Sequence, residues 1–549
     1  MTTEGPIRFP KKSEIPESMR VADAPGPGAG LDDGRWSMRW LCDGEIRAFA
    51  GDGEEVRSPV CVENEDGSLE RVLVGRTPNL DRAAALEALA AAKRAWGGGR
   101  GEWPTMRVAR RIGAMERFIE GMVKTREEVV RLLMWEIGKT RKDAETEFDR
   151  TVIYVRDTVE ALKELDRQSS RFVMEEGFLG QIRRAPLGVV MCMGPFNYPL
   201  NETFTTLIPA LIMGNSIVCK LPRYGALLHV PLFEAMKEAF PKGVINVITG
   251  DGRTTVGPIM ESGDVDVLAF IGTSRVVNIL KRQHPRPNRL RAITGLEAKN
   301  PAIVLPDADL DVAVRECVSG ALSFNGQRCT AIKLIFVHRE VERPFLDKLC
   351  AAVDGLKAGM PWEPGVTLTP LPEENKPERL TALIADAVAK GAKIVNRGGA
   401  FHGTFLRAAV VHPVSPEAAL YSEEQFGPVV PVVTFDDERE IDHFMQQSAY
   451  GQQVAIFGRD RKRMAFLVDA LSNQVCRINL NSQCRRGPDT FPFTGRKDSA
   501  EGTLSVSDAL RAFSIRAVVA TASNEDNKAL VSDIVVGRMS SFLSTDFIF

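Results

Sequence analysis

Six short apolar runs organise the middle of the chain: GVVMCM (188–193), SIVCK (216–220), VINVI (244–248), VDVLAFIG (265–272), AIVL (302–305) and KLIFVH (333–338). Each is apolar along most of its length, the pattern of strands buried on both faces. Segments of helix length separate them, so the runs read as the strands of βαβ units in a parallel sheet. The fold class that follows is α/β and doubly wound, with helices covering both sheet faces. No repeat at a fixed period accompanies the pattern, which sets aside solenoids and propellers.

The 549 residues exceed what one hydrophobic core organises, so two or three packed units are expected. Hydrophobic residues at 44%, charged residues at 26% and aromatics at 7% exclude collagen-like, coiled-coil and wholly disordered chains. Lys and Arg number 70 against 72 Asp and Glu, a net charge of −2, so no overall field favours nucleic acid or anionic lipid. Residues 1–35 are rich in Pro, Gly and charge, and are expected to form a flexible extension. Helical spacing of apolar residues runs through 79–96 and 107–135. The uncharged stretches 185–201 and 203–219 approach membrane-spanning length, but Pro and Gly interrupt both and they read as buried strand and helix. The first twenty residues have neither an apolar signal core nor an acid-poor transit pattern, so a cytoplasmic protein is expected.

Nine cysteines, Cys42, Cys61, Cys192, Cys219, Cys317, Cys329, Cys350, Cys476 and Cys484, form no C-x-x-C pair, which fits a reduced compartment and mostly buried thiols. The six histidines lie far apart, so no metal site is expected. GQRCTAIK (326–333) sets Cys329 directly after Arg328. A guanidinium beside a thiol favours the nucleophilic thiolate, although a buried structural cysteine has the same local sequence. GPFNYPLN (194–201) holds Asn197 between two prolines, where its amide donates to a developing oxyanion or simply serves a turn. VDVLAFIGTSRVV (265–277) passes from a strand through Gly272, Thr273 and Ser274 into a helical stretch, the layout of a phosphate site and equally of an ordinary capped turn. SIVCKLPRYG (216–225) closes a buried strand with Lys220 and Arg223, cations suited to a nucleotide or to solvent.

These segments occur in one order: GPFNYP, VCKLP, FIGTS, LEAKNP, GQRCT, EEQFGP. The order resembles the aldehyde dehydrogenase superfamily from about residue 36 to residue 522. FNYP, GQRCTAIK and NLNSQCRRGPDTFPFTG (479–495) resemble, more narrowly, its non-phosphorylating, NADP-dependent glyceraldehyde-3-phosphate dehydrogenases. The resemblance implies that Cys329 attacks the aldehyde carbon while Asn197 and the Cys329 N–H form the oxyanion hole. It puts Lys220, Gly272, Thr273 and Ser274 at the adenosine ribose and pyrophosphate, and Glu424 and Phe426 at the nicotinamide ribose. Where NAD-specific members carry a ribose-gripping glutamate, this chain has Arg223, which would attract a 2′-phosphate and favours NADP over NAD. Arg150, Arg328 and Arg486 match positions that clasp a substrate phosphate, with Arg485 as a stand-in for Arg486.

One departure matters. Aligned on the lysine of TGLEAKNP (294–301), the position of the family's usual general base is Gly295. Glu297 stands two residues later, on the same face if the backbone is extended, and is expected to take that role directly or through a water.

The expected activity is oxidation of glyceraldehyde 3-phosphate, or a close phosphorylated three-carbon aldehyde, with NADP and no metal. The missing glutamate leaves two alternatives: an acylating dehydrogenase that passes the acyl group to coenzyme A, and a non-catalytic relative. The resemblance further implies a Rossmann-like cofactor domain over 36–168 and 188–298 and a catalytic domain over 299–498. It adds an oligomerisation arm from 169–187 and 511–524, pairing a homodimer or homotetramer, and leaves a tail of 525–549 without a reading.

Overall fold

The computed structural model describes residues 7–19 and 37–545. An α/β architecture is present. One sheet has eight strands, in the order Glu45–Ala48, Arg39–Cys42, Ile245–Ile248, Ser216–Lys220, Val189–Met193, Val267–Ile271, Arg291–Gly295 and Ala500–Glu501. Its middle five strands are parallel. The chain leaves Val189–Met193 in one direction through two more strands, then crosses back to lay Val267–Ile271 on the other side. A crevice opens at the carboxyl ends of strands flanking such a switch, and here GPFNYP and GTS emerge on its two sides.

Burial on both sheet faces is visible residue by residue. Val190, Cys192, Ile217, Val267 and Ala269 enter one core cluster, while Val189, Met191, Val218, Leu268 and Phe270 enter another. A second sheet has seven strands, with Leu334–His338 between Val429–Phe435 and Pro301–Val304. Cys329 lies just before the first of these strands and Glu424 and Phe426 just before the second. Phe172–Glu175, Phe178–Pro186 and Ser514–Ala522 form a separate antiparallel sheet of three strands. No helix among the described residues is long and apolar enough to cross a membrane.

One expectation is refined and one corrected. The periodic stretch 107–135 is two helices, Val108–Val123 and Arg126–Ile137, because the Thr125 hydroxyl donates back to the Met122 carbonyl at 2.8 Å and closes the first. Residues 7–19 are not a loose extension: Phe9, Ile15 and Met19 are buried in the main core, with Phe9 against the His402 ring. Three well-spaced apolar side chains supply the burial that the composition of the whole extension concealed. The rest of the expected extension, residues 1–6 and 20–35, lies outside the described residues.

Candidate active site

A cleft of about 750 Å³ runs from the switch-point crevice to the second sheet. Asn197, Gly272, Thr273, Glu297, Arg328, Cys329, Glu424, Phe426, Arg150 and Arg486 line it, so ten residues singled out in sequence meet in one place. Lys220, Arg223 and Ser274 lie outside its lining.

The turn before Cys329 is built under tight constraint. Phe324 and Asn325 have φ of 48° and 55°, and the Asn325 amide holds Thr369 through bonds of 2.9 and 3.0 Å. Gly326 follows with φ 70°, where a Cβ would stand 2.7 Å from two backbone carbonyl oxygens, so only glycine fits. Beyond the turn, Asn300 and Lys333 both donate to the Cys329 carbonyl, at 2.9 and 2.6 Å. Lys333 also pairs with Glu424 at 2.9 Å, tying the cysteine to the EEQFGP segment. The Asn197 amide donates to the Gln327 carbonyl at 2.8 Å, which brings the proline-framed loop against the nucleophile's own loop.

The expectation that Arg328 activates Cys329 fails. Its guanidinium turns away to the Ser319 and Gly320 carbonyls, at 3.3 and 2.7 Å. Burial, and next the Glu202 carboxylate, push the Cys329 thiol above its ordinary range, with Lys333 and Arg486 pulling the other way. Adjacency in sequence did not become adjacency of side chains.

The arginines expected to face substrate are largely engaged. Arg150 forks onto Asp489 with bonds of 2.7 and 2.9 Å. Arg486 is buried, bonded to Glu202, to Asp489 at 3.1 Å and to the Leu504 carbonyl at 3.0 Å. Burial raises the Asp489 carboxyl, but the two guanidinium groups outweigh it and hold the carboxyl below its usual range. Arg485 is exposed, lines the same cleft and has no side-chain partner among the described residues.

On the cofactor side, Thr273 caps the helix Ser274–Gln283 by accepting from the Val276 N–H. The Ser274 N–H donates to Glu297 Oε2 at 2.7 Å, so this carboxylate now occupies the helix terminus assigned above to pyrophosphate. Gly295 is not imposed by space: a Cβ there would meet Ile271 and Leu504 at an ordinary 3.5 Å. Lys220 ends its strand with no hydrogen-bond or ion-pair partner among the described residues, and burial lowers its pKa. A half-buried ammonium with donors to spare at this crevice suits the hydroxyls of a nucleotide ribose. Arg223 is exposed and bonded to Glu54 at 2.7 Å, so a 2′-phosphate would have to compete with that carboxylate. Among the described residues, no group of His, Cys, Asp and Glu is arranged to hold a metal ion.

Sequence reading missed four participants. Glu202 follows GPFNYPLN immediately, and Asp489 sits inside the RRGPD segment, yet nothing local marks either as an arginine partner. The other two are Lys139 and Glu147. Lys139 is buried, pairs with Glu147 and stacks over the rings of Tyr198 and Phe324 at 3.3 and 4.6 Å. Glu147 accepts in turn from the Leu200 and Asn201 N–H groups, both at 3.1 Å. One buried ion pair therefore braces the Asn197 loop and the turn before Cys329 together.

A family model described as the aldehyde dehydrogenase family matches residues 62–519. The NADP-dependent glyceraldehyde-3-phosphate dehydrogenase of Nicotiana plumbaginifolia is 33% identical over 390 residues, which is 70% of this chain and 77% of the relative. That of Streptococcus equinus is 32% identical over 420 residues, 75% of this chain and 86% of the relative. The crystal structure of the NADP-dependent glyceraldehyde-3-phosphate dehydrogenase from Bacillus halodurans C-125 complexed with NADP superposes with a TM-score of 0.81. It is 29% identical and covers 89% of this chain and 100% of its own.

Proposed function

The chain belongs to the aldehyde dehydrogenase family, and on that premise we propose that it oxidises glyceraldehyde 3-phosphate to 3-phosphoglycerate, with NADP as the electron acceptor. The observation that carries this reading is the shared cleft: Cys329 and Asn197 at one end, Arg150, Arg328, Arg485 and Arg486 about them. In the thiolate form Cys329 attacks the aldehyde carbon, and the carbonyl electron pair moves onto oxygen as the thiohemiacetal forms. The Asn197 amide, released from Gln327, and the Cys329 N–H donate to that oxygen. Lys220 and the helix start at Ser274 would hold the dinucleotide, which when bound supplies the hydride acceptor for the step to a thioester. Water then cleaves the thioester and restores the thiol. Dianionic phosphate suits several guanidinium forks, and Arg223 suits the extra phosphate of NADP.

The test uses purified protein with NADP and glyceraldehyde 3-phosphate, without inorganic phosphate or coenzyme A, and repeats it with NAD. Sustained NADPH formation, with slower NADH formation when NAD replaces NADP, supports the reading. A single-turnover burst rescued by coenzyme A points instead to an acylating dehydrogenase, and no NADPH at all to a non-catalytic relative.

For the deacylation step we assign the base to Glu297. Its Oε2 is bonded to Ser274, its other oxygen has no protein partner among the described residues, and it lines the cleft. Glu297→Gln is expected to slow thioester hydrolysis on the order of a hundredfold, a general-base contribution, so that acyl-enzyme accumulates. The same change removes a negative charge from the helix start, so NADP should bind more tightly. Rapid-quench detection of acyl-enzyme and a fluorescence titration of NADP read the two effects separately. Unchanged hydrolysis would make Glu297 a helix cap only.

A homodimer or homotetramer is proposed from the three-stranded sheet. Phe178 and Val518 on one face and Met174 and Ile515 on the other are each at least half exposed, an apolar load on both faces that further copies of the chain would cover. Light scattering should give a dimer or larger mass, and Val518→Glu with Ile515→Glu should shift it toward the monomer. A monomeric wild-type protein would exclude the assignment.

A further inference from the structure

Glu202 places a carboxylate inside the aldehyde end of the cleft, in the first turn of the helix Asn201–Ile212. Its side chain is 8% exposed and its Oε2 takes Arg486. Asp489, outside the cleft lining, pairs with Arg150 and also with Arg486, so Glu202 is the partner of Arg486 that faces the cleft. Arg328 donates from Nη2 alone to backbone carbonyls, which cancels no charge, and Arg485 has no ionic partner among the described residues. Five arginines and one lysine line the cleft against five glutamates, of which Glu202 is the one bonded to Arg486, so the Glu202 charge weighs directly on the balance at that guanidinium. Arg486 and Glu202 are both buried, so that balance is weakly screened and acts on whatever charge the substrate brings.

We propose that Glu202 is the specificity-determining residue of this pocket: by pairing with the charged Arg486 from inside the cleft it sets the net charge offered to the substrate, and so ranks aldehydes by the charge they bear. The proposal rests on the reading of the cleft as an aldehyde pocket. Glu202 also acts on Cys329 more strongly than any other carboxylate, so the same residue tunes the thiol and the anion end together.

The experiment compares kcat/KM for glyceraldehyde 3-phosphate, a dianion, for a three-carbon semialdehyde carboxylate, a monoanion, and for neutral glyceraldehyde. Glu202→Gln keeps an acceptor for Arg486 while removing the charge. It is expected to raise the ratio of phosphorylated to neutral substrate on the order of tenfold, with a smaller rise for the monoanion. Glu202→Met removes the same charge and replaces Gln if that variant is unstable, whereas Glu202→Asp keeps the charge and should preserve the wild-type order. Alkylation of Cys329 by iodoacetamide, followed against pH, should move to a lower midpoint in the Gln or Met variant. A ratio unchanged within twofold in both neutral variants, or an Asp variant that shifts it as they do, overturns the proposal. Should wild-type protein leave glyceraldehyde 3-phosphate untouched, the functional reading fails by itself. The ratio of monoanion to neutral substrate then decides the role of Glu202, rising in the neutral variants if the proposal holds.

Discussion

Cys329→Ser is expected to lower NADPH formation by roughly 10⁴-fold or more, because a serine hydroxyl at neutral pH presents almost no oxyanion and the cleft offers it no histidine base. No other thiol can substitute. Cys484, which shares Lys333 with Cys329 as a charged neighbour, is fully buried, and burial pushes its thiol to about 12. Cys192 and Cys219 face each other across adjacent core strands, and burial raises both thiols as well. NADP binding should survive the change, since Lys220 and the Ser274 helix start are untouched. Stopped-flow absorbance of NADPH together with a fluorescence titration separates the two. Retention of a tenth of wild-type activity would reject Cys329 as the nucleophile.

The second large effect is on stability. Lys139→Met is expected to destabilise the protein by about 3–5 kcal/mol, because it strands the Glu147 carboxylate in the core with only two backbone N–H donors. Wild-type Lys139 has its pKa lowered by burial and held up by Glu147, so the pair depends on both members. The position is set by Gly138, whose φ of 71° closes one helix just before Thr140 caps the next. Urea unfolding should show a lower midpoint with an unchanged slope. Replacing both partners, Lys139→Met with Glu147→Leu, should recover most of the loss, since two apolar groups leave no uncompensated charge. A double variant as unstable as the single one would show that the pair's ionic character is not what matters. Activity offers an independent readout, because the same ammonium touches the rings on either side of the catalytic residues.

Local sequence carried much of the fold. Val189–Met193, Ser216–Lys220, Ile245–Ile248 and Val267–Ile271 are legible because both of their faces are buried, and no alternation of polar residues blurs the pattern. Helix starts at Asp81 and Thr273 are legible because capping is a contact between residues three apart. The Phe9 segment was not, since three apolar residues among prolines and charges acquire meaning only when a distant surface near His402 receives them. The break at Thr125 was missed because a helical period continues across it.

What the sequence by itself determined is the parallel α/β scaffold, the family resemblance and the list of chemistry-bearing residues. Those properties reside in short windows, where burial and spacing act between neighbours. Tertiary structure alone decided what each charge does: that Arg328 turns from the thiol beside it, that Arg486 pairs with Glu202 and Asp489 while Arg485 has no ionic partner among the described residues, and that Glu297 caps a helix. Glu202 and Arg486 are 284 residues apart in the chain and meet in one buried contact. Coulomb energy depends on distance in space and on exclusion of water, and neither is set by distance along the chain.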